Sequence, residues 1–507
     1  LTESDIQAAF QKTRPAKELW MSRELHWYDY ITINIYFLGL TSLSQTNGLV
    51  FPLLVQQFVG ESGKGTFFGN LRLWTLMVAL LVQAGMGILS DHSTLRWGRR
   101  RPFIFTGTLL DLVFIAAIGF SIGLEGTGGY WFLFAMGILL QVSSNTAQSA
   151  QQGLIPDLVP EDKRGRFSAV KAVMELPLPI LLVSFTVARL IGAGNMWAGL
   201  VVVMGVLVLT MLVTMLVPEK PLEKTPSALD WSPFFRLLLM TGLFTAVILG
   251  MGQVIKVTGR VITSLASPIA LFAVMGIIGL LAMTAAIGLG VWASVHISLG
   301  EAARANPSYT WWVVNRLAYL VGATNLSTFA IFFLQARLGY VREKAAQPAA
   351  ILMLVVGVFI LISALPSGWL ADRFGHKRLV AFSGIVAAIG TLIALLVPSL
   401  TIIYIGGSLI GLATGVFFTA NWALGTELVP VKEAGRYLGI SNLAGAGAGA
   451  VGAYIGGPIA DYFTQLLPEA PDSGYVLLFA IYGALFLLSV AALTRVRAGQ
   501  RLDLKQA

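Results

Sequence analysis

The stretch Gly87-Ile-Leu-Ser-Asp91, closed by Gly98-Arg-Arg-Arg-Pro102, stands between two long apolar blocks. A second version, Gly368-Trp-Leu-Ala-Asp372 with Gly375-His-Lys-Arg378, stands between two more apolar blocks downstream. Asp91 and Asp372 are 281 residues apart, and the same offset pairs Asn34 with Asn315, Phe51 with Phe332 and Leu53 with Leu334. Further along, Leu158-Val-Pro160 with Gly165-Arg166 answers Leu428-Val-Pro430 with Gly435-Arg436, at an offset of 270. Agreement at several places in the same order marks an internal duplication, the parallel-repeat arrangement of two-halved carriers.

Composition fixes the solvent of each copy. The 507 residues are 56% hydrophobic and only 12% charged, about half the charge of a soluble domain. The mean hydropathy is +0.77. Apolar blocks of roughly 18–25 residues match the thickness of a bilayer core, and they are apolar all round, as spanning helices are and barrel strands are not. With no cysteine and four histidines, His26, His92, His296 and His376, the chain offers no disulfide, thiolate site or His-x-x-x-His metal pair. No cofactor is expected. The net charge of +9 reads as basic cytoplasmic loops rather than nucleic-acid binding.

About fourteen spans are expected, grouped six, two and six. Residues 1–27 form a cytoplasmic tail, 28–217 a six-helix bundle, and 218–233 a proline-containing linker. An inserted transmembrane hairpin follows at 234–300, then a second six-helix bundle at 301–495 and a short tail at 496–507. The larger share of Lys and Arg falls in loops on the side of the N-terminus. The positive-inside rule therefore puts both termini in the cytoplasm, with the chain in the cytoplasmic (inner) membrane. The expected fold is all-α, two pseudo-symmetric six-helix bundles plus a hairpin.

The repeated Gly-x-x-x-Asp…Gly-Arg-Arg/Lys element resembles the signature of the major facilitator superfamily. The fuller string Ser90-Asp-His-Ser-Thr-Leu-Arg-Trp-Gly-Arg-Arg-Arg-Pro-Phe-Ile104, with the Leu-Ile-Pro-Asp-Leu158 segment, is similar to sucrose and glycoside symporters and their bacterial relatives. The resemblance implies a cytoplasmic latch that holds the halves together when the outside is open. Gly87, Asp91, Arg99, Arg100, Asp157 and Arg166 would form one charge cluster, and Asp372, Lys377, Glu427 and Arg436 its copy. Asp91 would cap the free N–H groups of the helix starting near Tyr437. Where plant sucrose symporters carry an acid and an arginine on span four, this chain has Gln141 and Gln152, so sucrose is not the expected substrate.

Gln141, Asn145, Gln148 and Gln152 recur at spacings of four, three and four, one face of a helix. Amides facing lipid are costly, so that face must meet a wet cavity or polar neighbours. Polar residues also gather in the first span, including Gln45 and Asn47. The ninth span, the seventh of the superfamily pattern, carries Asn325, and its tenth counterpart carries Asn421 and Trp422. The resemblance implies that these four spans line the central cavity. Amides and hydroxyls both donate and accept, which suits a hydroxyl-rich solute, and Trp422 could stack on a sugar ring. Asp111, Lys171, Glu175 and Arg316 are charges inside spans and candidates for coupling to a proton or sodium ion. Arg72 is read as an outer-interface residue that snorkels.

The functional expectation is a secondary transporter moving a small polar solute, a sugar or glycoside, by alternating access. The alternative is a non-transporting relative that assists assembly of a photosynthetic membrane complex, docking its protein partner on the inserted hairpin. An enzyme is not expected: the sequence has no Walker loop, metal cluster or nucleophile arrangement.

Overall fold

A computed structural model describes residues 25–219, 230–263, 267–300, 307–429 and 434–497, without the side chains of 434–436, 438, 439 and 442. The described residues form helices and no strand. Fourteen long helical runs, numbered here in chain order, carry the fold. The first group is α1 (Ile35–Val59, preceded by the short turn Trp27–Thr32), α2 (Lys64–Asp91), α3 (Arg101–Ser121), α4 (Gly126–Leu158), α5 (Glu161–Gly192) and α6 (Met196–Thr214). Two helices follow, α7 (Ser232–Ile262) and α8 (Pro268–Leu299). The last group is α9 (Pro307–Thr328 with Ala330–Leu338), α10 (Ala346–Phe374), α11 (His376–Leu396), α12 (Leu400–Leu428), α13 (Ala434–Leu466) and α14 (Ser473–Leu493).

Twelve of these runs are long and apolar enough to cross a membrane, or thirteen with the two parts of α9 taken as one span. The run that falls short is α4, whose 33 residues are long enough but include the amide-rich stretch from Gln141 to Gln152. A helix too polar for lipid must turn that face to protein or water.

The duplication in the sequence appears as a repeated neighbour pattern. In the first group α3 packs on α4, α2 on α4, α1 on α6 and α3 on α6; in the last, α11 packs on α12, α10 on α12, α9 on α14 and α11 on α14. The groups meet along two seams, α2 against α13 and α5 against α10. Mapping one copy onto the other exchanges these seams, which is the signature of a pseudo-twofold axis running between them.

The α2–α13 seam is close because small residues face each other. A Cβ on Gly65 would lie 2.7 Å from the carbonyl oxygen of Gly457, so only glycine permits that backbone separation. The α7–α8 pair covers the same seam. Phe244 of α7 is wedged between Gly290 of α8 and Gly447 of α13, and Gly252 lets Tyr454 of α13 lie flat against α7. The outward side of the pair exposes Phe235, Leu239, Val257, Ile269, Ile277 and Trp292, a composition suited to lipid.

Two helices are broken, each for a local reason. Pro177 and Pro179 interrupt α5, and a π turn at Val183–Val187 follows, as expected where ring nitrogens cannot donate. In α9 the two parts are inclined by 57°. Thr328 donates its hydroxyl to the Thr324 carbonyl at 2.9 Å just before the break, a back-bond that bends helices.

Candidate functional site

Between the two groups lies a cavity of about 350 Å³. Its walls come from α1 (Ser44, Gln45, Asn47), α2 (Phe68, Arg72), α9 (Thr324, Ser327, Thr328) and α10 (Met353, Val356, Ile360). The 281-residue offset pairs Asn47 with Thr328, so equivalent positions of the two copies face the same space. A smaller apolar cavity of about 170 Å³ adjoins it inside the last group and shares Thr324, Ser327, Met353, Val356 and Ile360. One wall is thus polar and hydroxyl-bearing, and the other is greasy.

One end of this cavity is sealed. Phe68 meets Phe329 and Phe332 edge to face at ring separations of 5.9 and 5.5 Å. Beyond that aromatic layer Lys64 Nζ donates to Gln335 Oε1 at 3.1 Å, and Gln335 Nε2 donates to Gln56 Oε1 at 2.9 Å. Asp461 of α13 accepts the backbone N–H groups of Gly65 and Thr66 at 2.8 and 2.7 Å. Those N–H groups open helix α2, so the carboxylate fills the anion site that a helix N-terminus presents. Gln465 donates to the Ser62 carbonyl at 2.5 Å, and Ser184 of α5 to the Ala350 carbonyl of α10 at 2.9 Å. Glu61 pairs with Lys64 at 2.6 Å; burial works against its charge, but the ammonium and hydrogen bonds from Lys64 and Gln56 bring its carboxyl below the ordinary value.

At the other end, the face carrying the Arg-rich loops, the described residues make no hydrogen bond or ion pair between the groups. Arg100 ties together its own group instead: Nε donates to Asp157 at 2.9 Å, one terminal nitrogen to Ser90 Oγ at 2.6 Å, and the other to Asp91. Arg99 also pairs with Asp157. Burial alone would lower the pKa of Arg100, but the charges of Asp157 and Asp91 raise it, so the guanidinium stays charged. Glu219, which sequence reasoning missed, accepts the backbone N–H groups of Arg100 at 2.7 and 2.9 Å and of Arg101 at 3.0 Å. Burial pushes its carboxyl up, with those hydrogen bonds opposing. It lies beyond the last span of its group, where no spacing pattern pointed to it.

The expected bridge from Asp91 to the start of α13 is not made. Asp91 turns back to Arg100, and a methyl placed on either Gly87 or Gly445 would meet no atom within 4 Å. Arg166 is exposed and lies outside the cluster. In the second copy, His376 Nδ1 lies 2.7 Å from Glu427 and its Nε2 4.0 Å from Asp372, which is 82% exposed. Lys377 donates to the Val496 carbonyl at 2.6 Å. The side chain of Arg436 lies outside the described residues.

Of the residues expected to line the cavity, Gln45 and Asn47 do. Asn325 is wholly buried and donates to the Val321 and Ala448 carbonyls at 2.9 and 3.0 Å. Asn421 is also buried: it donates to Asn315 Oδ1 at 2.8 Å and accepts from Arg316 at 2.9 Å. Trp422 lies 5.5 Å from the Arg316 guanidinium, with Trp312 at 5.9 Å, so its ring contacts a cation of its own group. On α4, Asn145 donates to Gln141 Oε1 at 3.1 Å, Gln152 accepts from Gln83 of α2 at 3.3 Å, and Gln148 is half-buried. Asparagines on α9 and α12 are thus used for packing between helices, and the cavity wall is built from α1, α2, α9 and α10.

The charges inside spans separate likewise. Asp111 is wholly buried between α3 and α4, where it accepts from Ser143 and, at 2.8 Å, from Ser144. Lys171 and Glu175 pair at 3.5 Å on α5, with Lys171 over the Phe37 ring of α1. Arg72 departs most from expectation. It does not snorkel at an interface but lines the central cavity. The reason is the neighbour its face meets: the α2 face carrying Arg72 turns toward α9 and α13, with Thr324 in the same cavity wall and a Cβ on Gly449 lying 3.9 Å from a terminal nitrogen of the guanidinium.

The Major Facilitator Superfamily model matches residues 312–506. The second six-helix group of the chain is thus similar to that superfamily. Among curated relatives, the rice (Oryza sativa subsp. japonica) Sucrose transport protein SUT1 is 33% identical over 98 residues, 16% of this chain and 18% of that protein. The Minor myo-inositol transporter IolF of Bacillus subtilis (strain 168) is 36% identical over 90 residues, 18% of this chain and 20% of the other. The chain therefore spans about a fifth of the length of the curated relatives it matches. Solved structures agree in fold. A peptide transporter POT in complex with sulfate superposes with a TM-score of 0.64 at 14% identity, covering 95% of this chain and 98% of that one. A D-xylose-proton symporter gives 0.58 at 17%, covering 92% and 96%. The chain is a multi-pass integral membrane protein, and the proteins it resembles are transporters.

Proposed function

We propose that this protein is a secondary carrier that moves a small hydroxylated solute, of the sugar or glycoside type, across the cytoplasmic membrane by alternating access. Both termini and the Arg-rich loops lie in the cytoplasm. The observation that carries this reading is the 350 Å³ cavity between the two groups, walled by hydroxyls and amides and sealed at one end by bonds that cross between the groups. A cavity at the interface of two repeats, closed on one side only, is the geometry that rocking of one repeat against the other converts into transport. Ser44, Gln45, Asn47, Ser327 and Thr328 offer donors and acceptors for solute hydroxyls. The sucrose and inositol transporters among the relatives are consistent with a hydroxylated solute.

In this reading the structure is the cytoplasm-open state, and the two charge clusters are free of one another because their face is open. Closing that face brings Asp91 and Gly87 toward α13 and breaks the seal at Gln56, Lys64 and Asp461. A proton or sodium ion is the candidate coupling partner. The test is solute exchange in proteoliposomes, with labelled sugars, polyols and their acids, with and without a proton or sodium gradient. Saturable exchange of any of them supports the carrier. Absence of flux for the whole panel, with the protein folded, removes it.

A further inference from the structure

The cavity holds one charge, and it is unanswered. Arg72 projects from α2 into the space between the groups, and its Nε is buried with no hydrogen-bond partner. No carboxylate among the described residues lies within ion-pair distance of it. The sequence explains why. Ile35–Val59 and Pro307–Leu338, which form two of the walls, contain no Asp or Glu. The acids of the other two walls, Asp91 and Asp372, stand at the far ends of their helices, about 28 Å and 18 Å along from Arg72 and Ile360 respectively at 1.5 Å per residue. Asp461 is committed to the N–H groups of Gly65 and Thr66. The other cations nearby are used: Lys64 lies beyond the Phe68 layer and pairs with Glu61, and Arg316 is held by Asn421 between two tryptophans.

A guanidinium set in a membrane interior without a counter-charge is expensive, and such residues mark solute paths. Its planar fork matches a carboxylate in bidentate fashion. The neighbouring Ser44, Gln45, Asn47, Thr324, Ser327 and Thr328 are neutral, so the site carries a single positive charge. We infer, on the basis of the carrier reading, that the transported solute is a hydroxylated monocarboxylate, a sugar acid, whose carboxylate sits on Arg72 and whose hydroxyls meet the Ser44–Asn47 and Thr324–Thr328 segments. A phosphate dianion would bring a second negative charge for which the cavity has no second cation.

The test uses the full chain in proteoliposomes with labelled gluconate, glucose and glucose 6-phosphate, in the native protein and in Arg72→Gln and Arg72→Lys. The native protein is expected to carry gluconate with at least a tenfold lower KM than glucose. R72Q loses that preference, and R72K keeps part of it because the charge remains while the fork is lost. Thermal unfolding and elution profile confirm that each variant is folded, and R72K guards against loss of R72Q through instability. Glucose carried as well as gluconate, with R72Q unchanged, overturns the inference and leaves the carrier standing. Preference for the phosphate ester overturns the monocarboxylate assignment. Flux of none of these solutes, nor of any other in the wider panel, overturns the carrier reading and this inference together.

Discussion

Asp461 of α13 accepts the backbone N–H of Gly65, the second residue of α2, at 2.8 Å across the seam between the two groups. With the adjoining bond from Thr66 it places a buried carboxylate on the positive end of a helix belonging to the other half. Charge-assisted bonds of this kind are worth about 1.5–3 kcal/mol each, and they exist only while this side is closed. Under the proposed carrier function they bias the protein toward the state seen here.

Asp461→Ala removes that bias. Because the chain has no cysteine, a single Thr328→Cys reports cavity access without background. In the parent, an impermeant thiol reagent is expected to label Thr328→Cys from the Arg-rich face. Adding D461A shifts labelling toward the opposite face by at least tenfold, the effect of about 1.4 kcal/mol. Unchanged sidedness would mean that the clamp does not set the equilibrium.

Arg100→Ala leaves Asp157 and Asp91 without their shared cation. Asp157 keeps Arg99 and Asp91 is half-exposed, so the loss is expected near about 1.5–3 kcal/mol, the worth of a hydrogen bond to a charged group. Thermal unfolding in detergent is expected to show it, with R100K intermediate.

Glu219 gives a signed pH effect. Its carboxyl is raised by burial, so the folded chain holds that proton to higher pH than the unfolded chain does. Its contribution to stability is then complete below the ordinary carboxylate value and declines as pH rises through the raised one. Glu219→Gln still accepts the N–H groups of Arg100 and Arg101. The variant is expected to unfold at the same or higher temperature at pH 8 and to flatten the decline between pH 4 and pH 8. A lower unfolding temperature at pH 8 than the native protein would contradict this.

Asp111 is buried between α3 and α4 and does not line the cavity. Asp111→Asn keeps the acceptor for Ser143 and Ser144, so the response of uptake to an imposed proton gradient is expected to match the native protein, with a stability change of about 1 kcal/mol. Loss of the gradient response in D111N would put Asp111 on the coupling path.

These residues also show what the sequence could reveal. The duplication was legible because Asp91 and Asp372 recur at a fixed offset with their glycines, and the spans were legible because lipid demands long apolar runs. The exception, α4, fails the hydropathy test for the same amides that drew attention to it. Side-chain direction was not legible. Asn325 and Asn421 stand on the expected spans but bond to Ala448 and Asn315 inside their own group, because spacing along one helix does not say which neighbour a face meets. Arg72 was misplaced because depth along α2 does not say which way a side chain turns, and its face meets α9 and α13 rather than lipid. The charge-cluster residues stand out by motif, but a motif does not say which partner a side chain takes: Asp91 holds Arg100 of its own group rather than the start of α13. Glu219 had no pattern at all, since it acts through backbone N–H groups that any residue supplies.

The most direct test of the proposed mechanism is a cysteine pair at Gln56 and Gln335, whose side chains hydrogen-bond across the two groups at 2.9 Å, bridged by a short bis-methanethiosulfonate reagent in a chain that otherwise has no thiol. The expected result is that the reagent links the pair, that the linked protein no longer exchanges solute, and that reduction, which removes the bridge, restores exchange. A linked protein that exchanges at the full rate would show that the two halves do not part on that side during transport.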